Sequence, residues 1–230
     1  MVESTNNTIT VSAPSKVLIS GGYLIIDPEY EGVVLATSAR FRTSVRQTGG
    51  TEIRVKSEQF GLNVSYDLAG NGKHNDFIDK LVYFVTLLSP EMTGCEITLQ
   101  GSNSFYSQRG NTDYFPSQLD KQPEFMVPVN PHAKTGLGSS AALTVSFIAC
   151  FFHDKEYLHG LCQIANAYVQ QKVGSGFDIA AALYGSIKYK RFTQVDAVKE
   201  IVTMLDSRVP PTRENLIKVA KATTICPTPV

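Results

Sequence analysis

The stretch that most limits what this chain can fold into is Lys134-Thr135-Gly136-Leu137-Gly138-Ser139-Ser140-Ala141-Ala142, which runs straight into an apolar, helix-compatible segment from Leu143 to Phe152. Two glycines one residue apart let the backbone take positive φ and let a ligand approach closely, because neither carries a Cβ. A helix that begins directly after such a loop offers free N–H groups and the positive end of its dipole to an anion. Ser139 and Ser140 add hydroxyls suited to a helix cap, a phosphate or a cation. Taken alone, the stretch is also what a loop that merely caps a core helix looks like. Only the rest of the chain separates the two.

Composition narrows the classes. The chain has 230 residues, enough to bury a substantial core, and its 21 basic residues balance its 21 acidic ones. No Lys/Arg block is present, so the charge footprint of a nucleic-acid binder is missing and any anion must be held by local geometry. Cys95, Cys150, Cys162 and Cys226 form no C-x-x-C pair, which argues against a zinc site or a disulfide framework. The polar N-terminus lacks a signal-peptide layout, and the longest apolar run is about half of what a membrane span needs. The expectation is a soluble, cytoplasmic monomer acting on a small molecule, with no nucleic-acid or membrane partner.

Along the chain, β-rich alternation over Thr8–Ser12 is interrupted at Ala13-Pro14-Ser15-Lys16 and resumes over Val17–Ser20. Gly32–Arg46 reads as a long strand, Gly49-Gly50 as a hairpin turn and Thr51–Lys56 as its returning partner, with a further strand at Asn63–Leu68. Asn75 is placed to cap a helix carrying Phe77, Ile78, Leu81, Val82, Val85 and Leu88 at helical spacing, and Cys95–Gln100 is again a strand. Residues 101–130 are polar, poorly periodic and long for a compact domain, which marks either a functional loop or a flexible one. Helices are expected to about Phe152, over Lys155–Gln171 and over Ile179–Leu183, then a strand over Ser186–Phe192. Val195–Leu205 and Arg213–Ala222 read as amphipathic helices, and the final residues show no pattern. Strands followed by mixed helices and strands, without βαβ alternation, define an α+β fold with helices packed on one face of a mostly antiparallel sheet.

Two more segments carry chemistry. Lys16 stands where one strand segment meets the next with apolar neighbours, as a point charge for a phosphate or as a lysine that snorkels to water. In Lys172-Val173-Gly174-Ser175-Gly176-Phe177-Asp178, a lone carboxylate follows a Gly-Ser-Gly turn and precedes a small-residue helix, where it either caps the helix or meets a substrate hydroxyl. An anion loop, a lysine and an isolated aspartate are the parts that phosphoryl transfer requires. The loop is not a P-loop, and the protein-kinase H-R-D and D-F-G sets are absent. His74, His132, His153 and His159 have no ligand spacing.

These segments resemble the GHMP small-molecule kinase superfamily, Ala13–Leu18 its first motif and Lys134–Ala142 its phosphate-binding second motif. Within it, Ser20-Gly21-Gly22-Tyr23-Leu24-Ile25-Ile26-Asp27-Pro28, Phe105-Tyr106-Ser107, and Val173–Asp178 running on to Tyr184-Gly185-Ser186-Ile187-Lys188-Tyr189 are similar to the fungal and plant phosphomevalonate kinase family. The resemblance implies the GHMP N-terminal domain, of ribosomal protein S5 domain 2-like topology. It implies ATP and Mg²⁺ as cofactors and transfer of a phosphoryl group to phosphomevalonate, giving diphosphomevalonate on the route to isoprenoids and sterols. It implies Asp178 and Lys16 as catalytic residues, with Lys134, Thr135, Gly136, Leu137, Gly138, Ser139, Ser140, Ala141 and Ala142 around the ATP phosphates. Ser139 or Ser140 would lie near Mg²⁺, and Ser20, Gly21, Tyr23, Ser175 and Gly176 would line the acceptor site.

Three departures accompany it. Ser15 stands where the first motif usually has glycine, and Asn166–Gln170 offers no acid where some members supply a metal-binding glutamate. The glycine-rich third motif has no counterpart, so residues 1–192 are expected to form the ATP-binding domain and 193–230 a divergent helical tail in place of a C-terminal domain. A non-catalytic nucleotide-binding protein of the same ancestry is the alternative, ahead of mevalonate kinase or the related decarboxylase.

Overall fold

The computed structural model describes residues 2–5, 7–72, 74–106 and 134–230. The spine of its sheet is β3 (Glu31–Gln47), where Ala39, Phe41, Thr43 and Val45 turn inward at the strand period of two. β2 (Thr8–Ser20) runs antiparallel along one side of it, with β1 (Val2–Thr5) beyond. The other side of β3 is shared. β6 (Cys95–Gly101) pairs with Phe41–Gln47, and β7 (Ile187–Lys190) with Glu31–Val34. β4 (Glu52–Ser57) lies parallel to β6, β5 (Leu62–Asp67) closes that edge antiparallel to β4, and β8 (Thr228–Pro229) pairs with β7.

Two local expectations change. The interruption at Ala13–Lys16 is a register shift between Pro14 and Lys16 inside one continuous strand, with Pro14 unable to donate to the ladder there. The hairpin expected at Gly49-Gly50 is not formed, because β6 separates β3 from β4. That loop folds onto Gly94 instead, whose N–H donates to Gly50 O at 2.6 Å and whose carbonyl accepts from Thr48 N–H at 2.9 Å.

Helices cover one face of the sheet. α1 (Asp76–Leu88) starts as expected, Asn75 Oδ1 accepting from Ile78 N–H at 3.3 Å. α2 (Ser139–Ala149) is buried on nearly every side, as a helix apolar all round must be, and Thr43 and Ser146 hydroxyls 2.8 Å apart tie it to β3. α3 (Leu158–Gln170) packs behind it, and α4 (Phe177–Tyr184) lies against β2 and β7. Cys95, Cys150 and Cys162 are buried free thiols, and Cys226 is free and exposed. Among the described residues no helix is long and apolar enough to cross a membrane.

The tail does not form a unit of its own. α5 (Val195–Leu205) and α6 (Arg213–Thr223) bury Ile201, Leu205, Leu216 and Ala220 in the same core as Phe41 and Phe147. Contact with α3 is so close that a Cβ on Gly160 would meet Ala220 O at 1.9 Å. The expected boundary at residue 192 therefore does not separate two cores, and the patternless C-terminus contributes β8. Of the 101–130 stretch, only Gly101–Tyr106 lies within the described residues, with a 3-10 turn over Asn103–Phe105.

Candidate active site

The fold brings the three sequence segments together through the register shift in β2. Lys16, just after it, donates its backbone N–H to Leu137 O at 3.1 Å and its Nζ to Gly136 O at 3.3 Å. Lys16 Nζ also stands 5.3 Å from the centre of the Phe177 ring at the start of α4. One lysine thus touches both glycine-bearing loops. Ser15 turns the other way, fully buried, with its hydroxyl bonded to Thr37 of β3.

The loop before α2 is fixed at both ends. Thr135 donates its N–H to Phe105 O at 3.0 Å and its hydroxyl to Ser104 O at 2.8 Å, and Tyr106 bridges to Lys134. Gly136 and Gly138 have φ of 82° and 83°, where a side chain strains the backbone. A Cβ on Gly138 would also lie 3.0 Å from Lys16 Cε. Gly138 is the N-cap of α2 and supplies no side chain to it. The first intrahelical bond is Ala142 N–H to Gly138 O, so the N–H groups of Ser139, Ser140 and Ala141 precede the ladder. The helix start is thus left without a side-chain cap, the geometry that an anion site requires.

α4 begins in a related way, with left-handed Gly176 as N-cap (φ 83°) and again no side-chain cap. Asp178 is therefore not the N-cap. It sits in the first turn, and its Oδ1 accepts from Ile179 N–H at 3.0 Å. Burial pushes its carboxyl above the usual carboxylate range, opposed by that N–H and by the charge of Lys16. Gln163 of α3 donates to Gly176 O at 2.8 Å, and Tyr189 OH to Ser175 O at 2.6 Å, holding the turn from behind.

A cavity of about 570 Å³ is lined by Lys16, Ser140 and Asp178, with Ser175, Asn166, Gln170, Lys172, Ile26 and Arg191 around them. Lys16, Lys172 and Arg191 set three cations against one carboxylate, so the space favours an anion. Ser140 also borders an apolar recess of about 220 Å³ whose walls include Phe41, Phe60, Phe77, Tyr106, Lys134 and Ser139. Ser139 is buried on that side, within hydrogen-bond reach of Tyr106, and does not line the cavity that holds Asp178.

The sequence expectations divide accordingly. Ser175 lines the cavity, whereas Gly176, buried at the start of α4, is not among its lining residues. Ser20, Gly21 and Tyr23 do not line it. Ser20 Oγ accepts from Val33 N–H at 3.2 Å, Gly21 (φ 112°) starts a 3-10 turn over Gly22–Ile26, and Tyr23 is 95% exposed. From that turn it is Ile26 that reaches the cavity. Arg191 is the residue sequence reasoning missed outright. Asn166 and Gln170, one helical turn apart on α3, were legible only as lacking an acid.

Comparison with known proteins bears on the fold. The GHMP kinases N terminal domain family matches residues 117–186. Phosphomevalonate kinase ERG8 of Gibberella zeae is 33% identical over 232 residues, which cover 81% of this chain and 52% of that protein. The peroxisomal phosphomevalonate kinase of Arabidopsis thaliana is 28% identical over 257 residues, covering 80% of this chain and 50% of its own. Streptococcus pneumoniae phosphomevalonate kinase, solved with phosphomevalonate and AMPPNP, superposes with a TM-score of 0.59 at 17% identity, over 92% of this chain and 55% of its own. The match to the GHMP kinases N terminal domain thus falls on the phosphate-loop and α4 half of the fold, and the solved structure shares that fold. The chain's curated relatives are phosphomevalonate kinases, and it spans about half the length of those it matches.

Proposed function

We propose that this chain works as a phosphomevalonate kinase, moving the γ-phosphoryl of ATP to the phosphate of 5-phosphomevalonate to give ADP and 5-diphosphomevalonate, in the mevalonate route to isoprenoids and sterols. The observation that carries it is that Lys16, Ser140 and Asp178, from three distant segments, line one cationic cavity. The names of the curated relatives supply the substrate.

In this reading the N–H groups of Ser139, Ser140 and Ala141 hold nucleotide phosphates, and the apolar recess beside Ser140 takes the base. Lys16 neutralises charge on the transferred group. The acceptor is a phosphate oxygen, largely ionised near pH 7, so an O–P bond forms as the β–γ bridge breaks and its electron pair leaves with ADP. No proton has to be abstracted. Asp178 therefore orients the acceptor and balances Lys16 rather than acting as an obligatory base.

The donors around the cavity suit a hard cation. Ser140 Oγ and Asn166 Oδ1 are oxygens, and the latter is buried without a hydrogen-bond partner. Mg²⁺ held there would screen the β- and γ-phosphate oxygens. A cytoplasmic monomer is the working state we propose, with three buried thiols suited to a reducing compartment.

A coupled ADP-release assay with phosphomevalonate and Mg-ATP tests the function. Turnover by the wild-type chain, lost by at least about 10²-fold in Asp178→Ala, is the expected result. Mg-ATP binding without phosphomevalonate-dependent turnover would favour the non-catalytic alternative.

A further inference from the structure

Arg191 follows β7, in phase with buried Ile187 and Tyr189 on the inward face of that strand. Its Nη1 donates to Ile26 O and its Nη2 to Gly174 O, both at 2.6 Å. The guanidinium thus joins the end of the 3-10 turn after β2 to the loop before α4, both of which line the cavity. Tyr189, two residues earlier, takes the next carbonyl, Ser175 O. These contacts use two of the five N–H donors a guanidinium carries. Nε is buried with no partner, and among the described residues Arg191 makes no ion pair. The guanidinium is half-buried where it lines the cavity, lies 5.7 Å from the centre of the Phe192 ring, and donates to neutral carbonyls with no carboxylate paired to it among the described residues.

We propose that Arg191 is the acceptor-recognition residue of this site: it fixes the spacing of the two walls and supplies the charge that selects a phosphate monoester over the same alcohol without phosphate. Lys172, across the same loop, adds a second, more exposed cation. Arginine suits the task because a planar fork meets a phosphate through paired donors, whereas lysine offers a point charge. The identity of the ligand rests on the phosphomevalonate kinase reading; the role of Arg191 rests on the geometry.

The test measures acceptor binding with the nucleotide site saturated by AMPPNP, and steady-state KM values, for wild type, Arg191→Met, Arg191→Lys and Lys188→Ala. Lys188 lies on the outward face of the same strand, outside this cavity, and controls for loss of a nearby charge. Arg191→Met is expected to weaken phosphomevalonate binding by about 10–100-fold, with Arg191→Lys in between and the KM for ATP within about threefold of wild type. The preference for phosphomevalonate over mevalonate falls with it, and Lys188→Ala matches wild type. If Arg191→Met fails to fold, Arg191→Lys carries the comparison through its split between the two KM values. Unchanged phosphomevalonate affinity, or equal losses for ATP and acceptor together with a lowered melting temperature, would overturn the assignment. Failure of the function reading looks different. A wild-type chain that ignores phosphomevalonate but binds glycerol 3-phosphate in an Arg191-dependent way keeps the recognition role and discards the substrate. Binding of neither phosphate monoester overturns the recognition role.

Discussion

α2 and α4 solve the same local problem and put it to opposite uses. Each starts at a glycine in the left-handed region, Gly138 or Gly176, and neither is capped by a side chain. α2 has no acidic residue in its first turn and leaves three N–H groups ahead of its ladder. α4 places Asp178 there, which takes up the Ile179 N–H itself. One helix start is left open for an anion; the other has already used part of its field to hold a buried carboxylate. Lys16 lies between them, bonded to Gly136 O and close to Phe177. In the proposed function these two helix starts, alike in the backbone, divide the work, phosphates at one and acceptor at the other, and one residue in the first turn sets the difference.

The largest effect should come from removing that residue, the loss of turnover set out above for Asp178→Ala. Lys16→Met should follow at about 10²–10³-fold, because it removes the cation between the helices while leaving both loops in place. The two glycines then separate structure from ligand binding. Gly176→Ala places a Cβ 2.7 Å from the Gln163 amide and 2.9 Å from Phe192 at positive φ, and should cost about 2–4 kcal/mol in urea unfolding. Gly138→Ala meets only the flexible stem of Lys16 and should cost about 1–2 kcal/mol, yet raise the KM for ATP more than Gly176→Ala does.

The smallest effect has an informative sign. Burial raises the Asp178 carboxyl above its unfolded value, so the folded state holds the proton more tightly and this group's contribution to stability is lost as pH rises through the folded-state pKa. Asp178→Asn should therefore melt higher than wild type near pH 7, and the difference should vanish as pH falls below the ordinary aspartate value of 3.8. A variant that melts lower at pH 7 would mean that the hydrogen bond from Ile179 outweighs burial.

Much of the site was legible in the sequence because its parts are local. A Gly-x-Gly loop running into an apolar helix, a lysine at a strand junction and an aspartate after Gly-Ser-Gly each state their conformation within a few residues. What was missed depends on the long-range packing of the chain. Arg191 sits in Lys188-Tyr189-Lys190-Arg191 among ordinary strand-end cations, and only the docking of β7 on β3 brings it to Ile26 O and Gly174 O. Gly49-Gly50 carries the chemistry of a hairpin, but nothing local records that β6 will insert beside β3. Tyr23 belongs to a run that resembles a site segment, yet the 3-10 turn sends its ring to solvent. The tail read as unrelated because the fit of α6 against Gly160 is a matter of shape, and helix periodicity does not encode it.

The division of labour between the two helix starts is tested most directly by titrating Asp178→Asn with Mg-ATP and measuring phosphoryl transfer to phosphomevalonate on the same preparation. We expect Mg-ATP affinity within about threefold of wild type with transfer reduced by at least about 10²-fold, since the proposed function puts the phosphates on α2 and the acceptor on α4. A loss of Mg-ATP affinity as large as the loss of transfer would contradict it.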